Sequence, residues 1–162
     1  MKLLKRMAVC ATLAFVVMAC VACGGTPVNI SLGTYNEETE TFTTVTSGYS
    51  ITVTGNQITL SGEVPYSEGL LGLDAGNIVA LKFTPTTSLT PDEETSIQTS
   101  NSSNESGWNT YGQENLESDG SVIWVTAVNT TEEPQIKIKW NAQTQEVTYT
   151  LKLADDATLL TE

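Results

Sequence analysis

The sequence predicts an all-β fold: a single two-sheet β-sandwich of immunoglobulin-like topology with about seven or eight strands. Apolar residues alternate with polar ones at period two through much of the chain, the spacing of strands that bury one face. The same stretches are rich in Thr, Val and Ile, which favour strands. A small β-barrel is the alternative architecture.

The clearest element is a hairpin in residues 50–61. Two alternating segments flank Gly55-Asn56, a two-residue loop that accepts the positive φ angles of tight hairpin turns. This loop sets Thr54 opposite Gln57 and places four apolar side chains on one face of the hairpin. These are Ile51, Val53, Ile58 and Leu60.

The remaining strands follow from the same alternation. Residues 28–32 and 42–46 are predicted to pair, and a half-buried strand ends at Pro85. The segment 121–129 is apolar on both faces, which predicts a central strand covered on both sides. Two further strands form a C-terminal hairpin, with apolar residues Ile136, Ile138, Trp140, Val147, Tyr149, Leu151 and Leu153.

A similar turn pattern occurs twice: an aromatic residue, Asn, two residues, Thr, two residues and an apolar residue. It runs over 35–42 and 140–147. Asn36 and Asn141 open the two turns, because the Asn side chain accepts a hydrogen bond from the backbone just beyond it. We interpret both as hairpin loops.

One segment, 86–120, is dominated by Thr, Ser, Asn, Glu and Asp and is predicted to be a long polar loop. Its composition favours disorder, although its aromatic residues indicate that part of it packs against the sandwich. Trp108 and Tyr111, with Asn109 beside them, are the candidate ligand-binding residues, since aromatic rings with amide neighbours suit hydroxyl-rich ligands. Alternatively, both rings serve only to hold the loop in place.

Charge restricts the partners. Beyond residue 23 the chain has 4 Lys or Arg against 19 Asp or Glu, a formal charge of −15. Such a surface repels phosphate backbones and anionic lipid, so no nucleic-acid partner is expected. A glycan or protein ligand remains open.

The residue types for catalysis and metal binding are sparse. The chain has no His, and its three cysteines all lie in the first 23 residues. No acid spacing matches a calcium loop, and no nucleophile motif occurs. We therefore predict no enzyme activity, catalytic residue, metal site or cofactor.

The N-terminus has the order of a secretory signal. A basic start, Lys2 to Arg6, precedes an apolar run over 7–22 that ends in small residues and cysteine. The run is shorter than the roughly 20 residues of a membrane-spanning helix.

A cysteine directly after small residues resembles the lipobox of bacterial lipoproteins. In that family a peptidase cuts before the cysteine, and its thiol carries a diacylglycerol. Cys23, preceded by Ala22 and followed by Gly24, is the favoured lipidation site, and Cys20 is the alternative. The resemblance covers only these residues, and it implies export and membrane anchoring through lipid.

The predicted organisation is therefore a signal peptide (1–22), a short tether (23–27) and a sandwich domain (28–162). The favoured function is a non-enzymatic surface binding or adhesion module, anchored to the cell membrane and extracytoplasmic. The alternatives are a carbohydrate-binding or carbohydrate-active accessory domain, and a structural component of an envelope assembly.

Overall fold

A computed structural model describes residues 17–19, 26–68, 77–101, 107–128 and 131–161 of the chain. Within them the backbone forms strands and one short 3-10 turn, Gln113–Asn115. The strands are β1 (Val17–Ala19), β2 (Val28–Asn36), β3 (Thr41–Thr44), β4 (Tyr49–Thr54), β5 (Gln57–Glu68), β6 (Asn77–Pro85), β7 (Ser96–Ser100), β8 (Asn109–Tyr111), β9 (Val122–Val128), β10 (Gln135–Lys139), β11 (Val147–Leu153) and β12 (Thr158–Thr161).

The all-β prediction is confirmed, and the strands form two packed sheets consistent with a sandwich. In the first sheet β6 is central, with β2 antiparallel on one side and β9 antiparallel on the other. β1 and β3 each pair with β2. The second sheet has the order β4-β5-β11-β10-β7-β8. Its β5–β11 pair is parallel and its other neighbours are antiparallel.

The long strand β5 links the two sheets. Its first half pairs with β4 and β11, its middle pairs with β12, and its end reaches β6 in the first sheet. It bends at Gly62, which has a φ of 77° and lies against the backbone of Gly48. A strand that passes from one sheet to another needs such a bend, and glycine is the residue that permits it.

The core lies between the sheets and consists of the inward-facing residues of the alternating strands. Its largest fully buried side chains are Trp140, Tyr149, Phe83, Ile30, Leu32, Ile58, Leu60, Leu81, Ile136, Ile138 and Leu151. Because polar residues take the alternate positions, the period-two pattern of the sequence is the pattern of burial.

The hairpin in residues 50–61 is confirmed in register, and the C-terminal hairpin is confirmed as the pairing of β10 with β11. In the first, Thr54 pairs with Gln57 and Ile51 pairs with Leu60. Only Gly55 of the two loop residues has positive φ, as in a type II′ turn. In the C-terminal hairpin, Ile136 pairs with Tyr149.

The two Asn turns are also hairpin loops. The Oδ1 of Asn36 accepts a hydrogen bond from the Thr39 amide, and the Oδ1 of Asn141 accepts one from the Gln143 amide. β3 pairs with the far end of β2, residues 33–36, and not with 28–32 as predicted.

Two further predictions were wrong. The segment 86–120 is not one long polar loop, because it contains β7, β8 and the 3-10 turn. β7 pairs with both β10 and β8, and it buries Ile97 in a stretch whose other residues are mostly polar. The strand β9 is not central: among the described residues its one strand partner is β6, so it lies at a sheet edge.

The strand order does not confirm the finer immunoglobulin-like assignment. Of the predicted leader, residues 17–19 form β1, whereas both candidate lipidation sites, Cys20 and Cys23, lie outside the described residues. No helix in the described part of the chain has the length and apolar character to cross a membrane.

Candidate functional site

A cleft of about 520 Å³ opens between the two sheets along β9, and we call it the edge cleft. Its volume falls in the range of ordinary ligand-binding sites. It is lined by Tyr35, Glu40, Ile97, Thr99, Tyr111, Glu114, Asn115, Leu116, Glu117, Val122, Ile123, Trp124, Val125 and Ile136.

The position of β9 accounts for the opening. Four consecutive residues, 122–125, line the edge cleft, so it follows the side of the strand and not one of its faces. That side is the one turned away from β6. Across from β9 lies the second sheet, where β7 and β10 contribute Ile97, Thr99 and Ile136 to the lining.

The floor of the edge cleft is apolar and well packed. Ile136 is fully buried, and Ile97, Val122 and Trp124 are each less than 5 % exposed. Their side chains face inward because each occupies the core-facing position of its strand. The floor is therefore part of the closed sandwich core, and the half-buried Leu116, Ile123 and Val125 supply apolar surface that solvent reaches.

One wall comes from the segment between β8 and β9. It is held by backbone hydrogen bonds from the Glu117 amide to the Ser121 carbonyl and from the Gly120 amide to the Glu117 carbonyl, both 2.8 Å. The buried indole of Trp140 donates to the Gly120 carbonyl at 3.0 Å. Leu116 packs against the core, so this wall is tied to the sandwich.

Asp119 also helps to hold the segment between β8 and β9. The Asp119 carboxylate accepts a hydrogen bond from the Ser121 amide and lies 3.5 Å from the Lys82 ammonium. The Ser121 hydrogen bonds, with a smaller effect of Lys82, lower the pKa of Asp119. The carboxylate therefore stays ionised while it holds the turn.

The rim carries tyrosines and carboxylates. Tyr111 is 42 % exposed, and Tyr35 is half-buried. Burial raises the pKa of Tyr35 first, and the negative charges of Glu40, Glu117 and Glu37 raise it further. The field at this end of the cleft is therefore negative, and among the described lining residues there is no lysine or arginine.

Glu40 and Glu117 are the free carboxylates of this rim. Both side chains are exposed, and the described ion pairs join other residues, Lys82 with Asp119 and Lys139 with Glu94. Glu114 differs, because its carboxylate accepts hydrogen bonds from the Gly112 amide and the Asn115 side chain.

The predicted binding residues are separated by the fold. Tyr111 lines the edge cleft. Asn109 shares its face of β8 but is not a lining residue. Trp108 lies instead against the Lys137 ammonium, which is 3.9 Å from the centroid of its ring.

Tyr35, Glu40 and Glu117 were missed as site residues. The sequence placed Tyr35 and Glu40 at a turn, and nothing in their spacing indicates that this turn meets residues 114–117. That meeting depends on the strand order, which short-range patterns do not specify.

The described part of the chain has other cavities as well. One, of about 500 Å³, lies beside the start of β12, and another, of about 370 Å³, lies beside the loop 88–92. No group of three or more His, Cys, Asp or Glu among the described residues is arranged to hold a metal ion.

No family model matches the chain, and no curated protein or solved structure matches it. The fold and the cleft define the class: an acidic β-sandwich with a cleft along one strand edge.

Proposed function

We propose that this chain is a lipid-anchored, extracytoplasmic protein whose sandwich is a non-enzymatic binding or adhesion module, and that the edge cleft is its binding site. The lipobox resemblance supports the anchor. The lack of His and of a nucleophile motif in the sequence supports binding without chemistry.

The observation that carries this proposal is the apolar floor of the edge cleft. Core side chains of both sheets, Ile97 and Ile136 on one and Val122 and Trp124 on the other, line a cavity of about 520 Å³. Apolar floors with a few polar groups around them are typical of binding sites. A ligand there would bury apolar area of the half-buried lining residues Leu116, Ile123 and Val125.

The carbohydrate-binding alternative has less support. Stacking on a sugar needs accessible ring faces, whereas Trp124 and Trp140 are at most 3 % exposed. Trp108 already has a cation over its ring. Tyr111 and Tyr35 are the aromatic groups left to a sugar at the edge cleft.

Blocking the cleft tests the site. Thr99 lines it, and the adjacent Gln98 lies on the other face of the same strand, so Thr99→Trp and Gln98→Trp form a matched pair. We expect ligands captured from glycan, protein and peptide arrays by the purified full-length chain to be lost with Thr99→Trp and kept with Gln98→Trp. Equal capture by the two variants would exclude the edge cleft as the site.

The anchor needs its own experiment. Palmitate labelling of cells expressing the full chain is expected to depend on Cys23, so Cys23→Ser abolishes the label and Cys20→Ser keeps it. Labelling lost only with Cys20→Ser would move the anchor to the alternative site. Labelling retained by the double variant would exclude both.

A further inference from the structure

We propose that the edge cleft binds an extended, basic segment of a partner protein, which adds as a strand to β9 and places a Lys or Arg side chain among the rim carboxylates. This inference rests on the proposed function, and it specifies the ligand class of the same site.

The first support is the backbone of β9. β6 is its one strand partner in the described residues, and the described backbone hydrogen bonds outside the sheets do not involve residues 122–128. The outer side of the strand therefore presents N–H and C=O groups in strand geometry. An extended peptide pairs with such an edge through its own main chain, as in other cases of strand addition.

The edge cleft lies along that same side. Because 122–125 are consecutive lining residues, an added strand there would run through the cleft and over its floor. Alternate side chains of the added strand would point into the cleft, and the others toward solvent. The same peptide would therefore pair with the edge of β9 through its main chain and place its side chains in the edge cleft.

The second support is charge complementarity. The ion pairs among the described residues do not include Glu40 or Glu117. Both carboxylates add to the negative field at Tyr35. The chain beyond residue 23 carries a formal charge of −15, which would accelerate encounter with a basic partner.

The shape of the site suits a long cationic side chain. Lys and Arg have apolar stems that lie on apolar surface while the charged group reaches polar neighbours. In the edge cleft the stem would lie on the half-buried Leu116 and the head would lie near the rim carboxylates Glu40 and Glu117. A cation beside a tyrosine face gains a further attraction.

Selection from an unbiased peptide library tests the ligand class. Random peptides are selected on the full-length protein, counter-selected on Thr99→Trp, and measured by fluorescence anisotropy. We expect the selected peptides to contain Lys or Arg flanked by apolar residues. Their affinity should fall steeply between about 0.05 and 0.5 M salt.

Charge-matched variants locate the cation. The double variant Glu40→Gln, Glu117→Gln changes the rim, and Glu93→Gln, Glu146→Gln makes the same charge change at exposed positions outside the edge cleft. We expect the rim variant to weaken binding about tenfold and the control variant to leave it within about twofold.

N-methylation of the peptide tests strand addition. A methyl group on a main-chain nitrogen removes a donor, so methylation at every second position should abolish binding and methylation at the intervening positions should not. Selected peptides without Lys or Arg, or binding insensitive to both sets of N-methyl groups, would overturn this inference while the cleft remained a binding site. Equal binding by Thr99→Trp and Gln98→Trp would instead overturn the proposed function.

Discussion

The Lys137 ammonium lies 3.9 Å from the centroid of the Trp108 ring, on the outer face of the second sheet. Lys137 alternates with the buried Ile136 and Ile138 along β10, so its side chain points away from the core. Trp108 is therefore drawn to that outer face, whereas Tyr111, three residues later, lines the edge cleft. The contact accounts for the separation of the two predicted binding residues.

Removing the charge of Lys137 should release Trp108 without affecting the cleft. Exposed cation–π contacts contribute about 0.5–1 kcal/mol, so Lys137→Met is expected to lower the free energy of unfolding by that amount or less. We expect the indole NMR signal of Trp108 to shift. Lys152→Met, an exposed change elsewhere, is the control. An unmoved Trp108 signal would contradict the contact.

The bend of β5 should be sensitive to an added methyl group. Gly62 and Gly55 both have positive φ, but a Cβ at Gly62 would lie 2.7 Å from the Gly48 oxygen, and one at Gly55 would meet nothing within 4 Å. Gly55→Ala is expected to cost about 1 kcal/mol through backbone strain alone.

Gly62→Ala adds a collision to the same strain and is expected to cost about 3 kcal/mol or more. Urea unfolding of the two variants measures the difference. Equal losses would show that the crossing of β5 between the sheets tolerates the added methyl group.

Local chemistry explains which parts of the fold were predictable. The hairpin at Gly55-Asn56 was predicted to the residue because a two-residue loop and four apolar side chains specify one register. β7 was missed because it has one large apolar residue, Ile97, among Ser, Gln and Thr. It is a strand because β10 and β8 pair with it on both sides.

The position of β9 and the composition of the site were beyond short-range patterns. The second face of β9 is apolar and half-buried at Ile123 and Val125, and this pattern resembles that of a strand covered on both faces. Both residues line the edge cleft, and β9 has β6 as its one strand partner among the described residues. Tyr35 and Glu117 meet only through the tertiary fold, so only Tyr111 of the site was predicted.

The pKa of Tyr35 should report the charge at the cleft rim. Burial raises this pKa first and Glu40 second, so Glu40→Gln is expected to lower it toward the ordinary value. The exposed change Glu93→Gln should leave it unmoved. Titration of the tyrosine ring carbons by NMR measures both variants.

The sign of the pH dependence follows from that raised pKa. Tyr35 remains protonated in the folded state at a pH where the unfolded chain has lost its proton. Its contribution to stability is therefore full below the unfolded pKa near 10 and is lost as pH rises toward the folded pKa. Glu40→Gln should weaken this alkaline loss. A Tyr35 pKa that is the same in wild type and Glu40→Gln would show that Glu40 does not act on the ring.

Glu40 should reduce stability while serving the proposed site. It has a φ of 52° and is the one non-glycine residue with positive φ among those described. A left-handed conformation costs an ordinary L-residue about 1–2 kcal/mol, and Asn tolerates it better. Glu40→Asn is therefore expected to raise the free energy of unfolding by up to about 1 kcal/mol.

The same change removes a rim carboxylate and should weaken binding of the selected basic peptides. Glu38→Asn alters the same turn without a positive φ and should give neither effect. Denaturant unfolding and peptide anisotropy on the two variants measure both quantities. If Glu40→Asn binds these peptides as tightly as wild type, the carboxylate at this strained position is not part of the site.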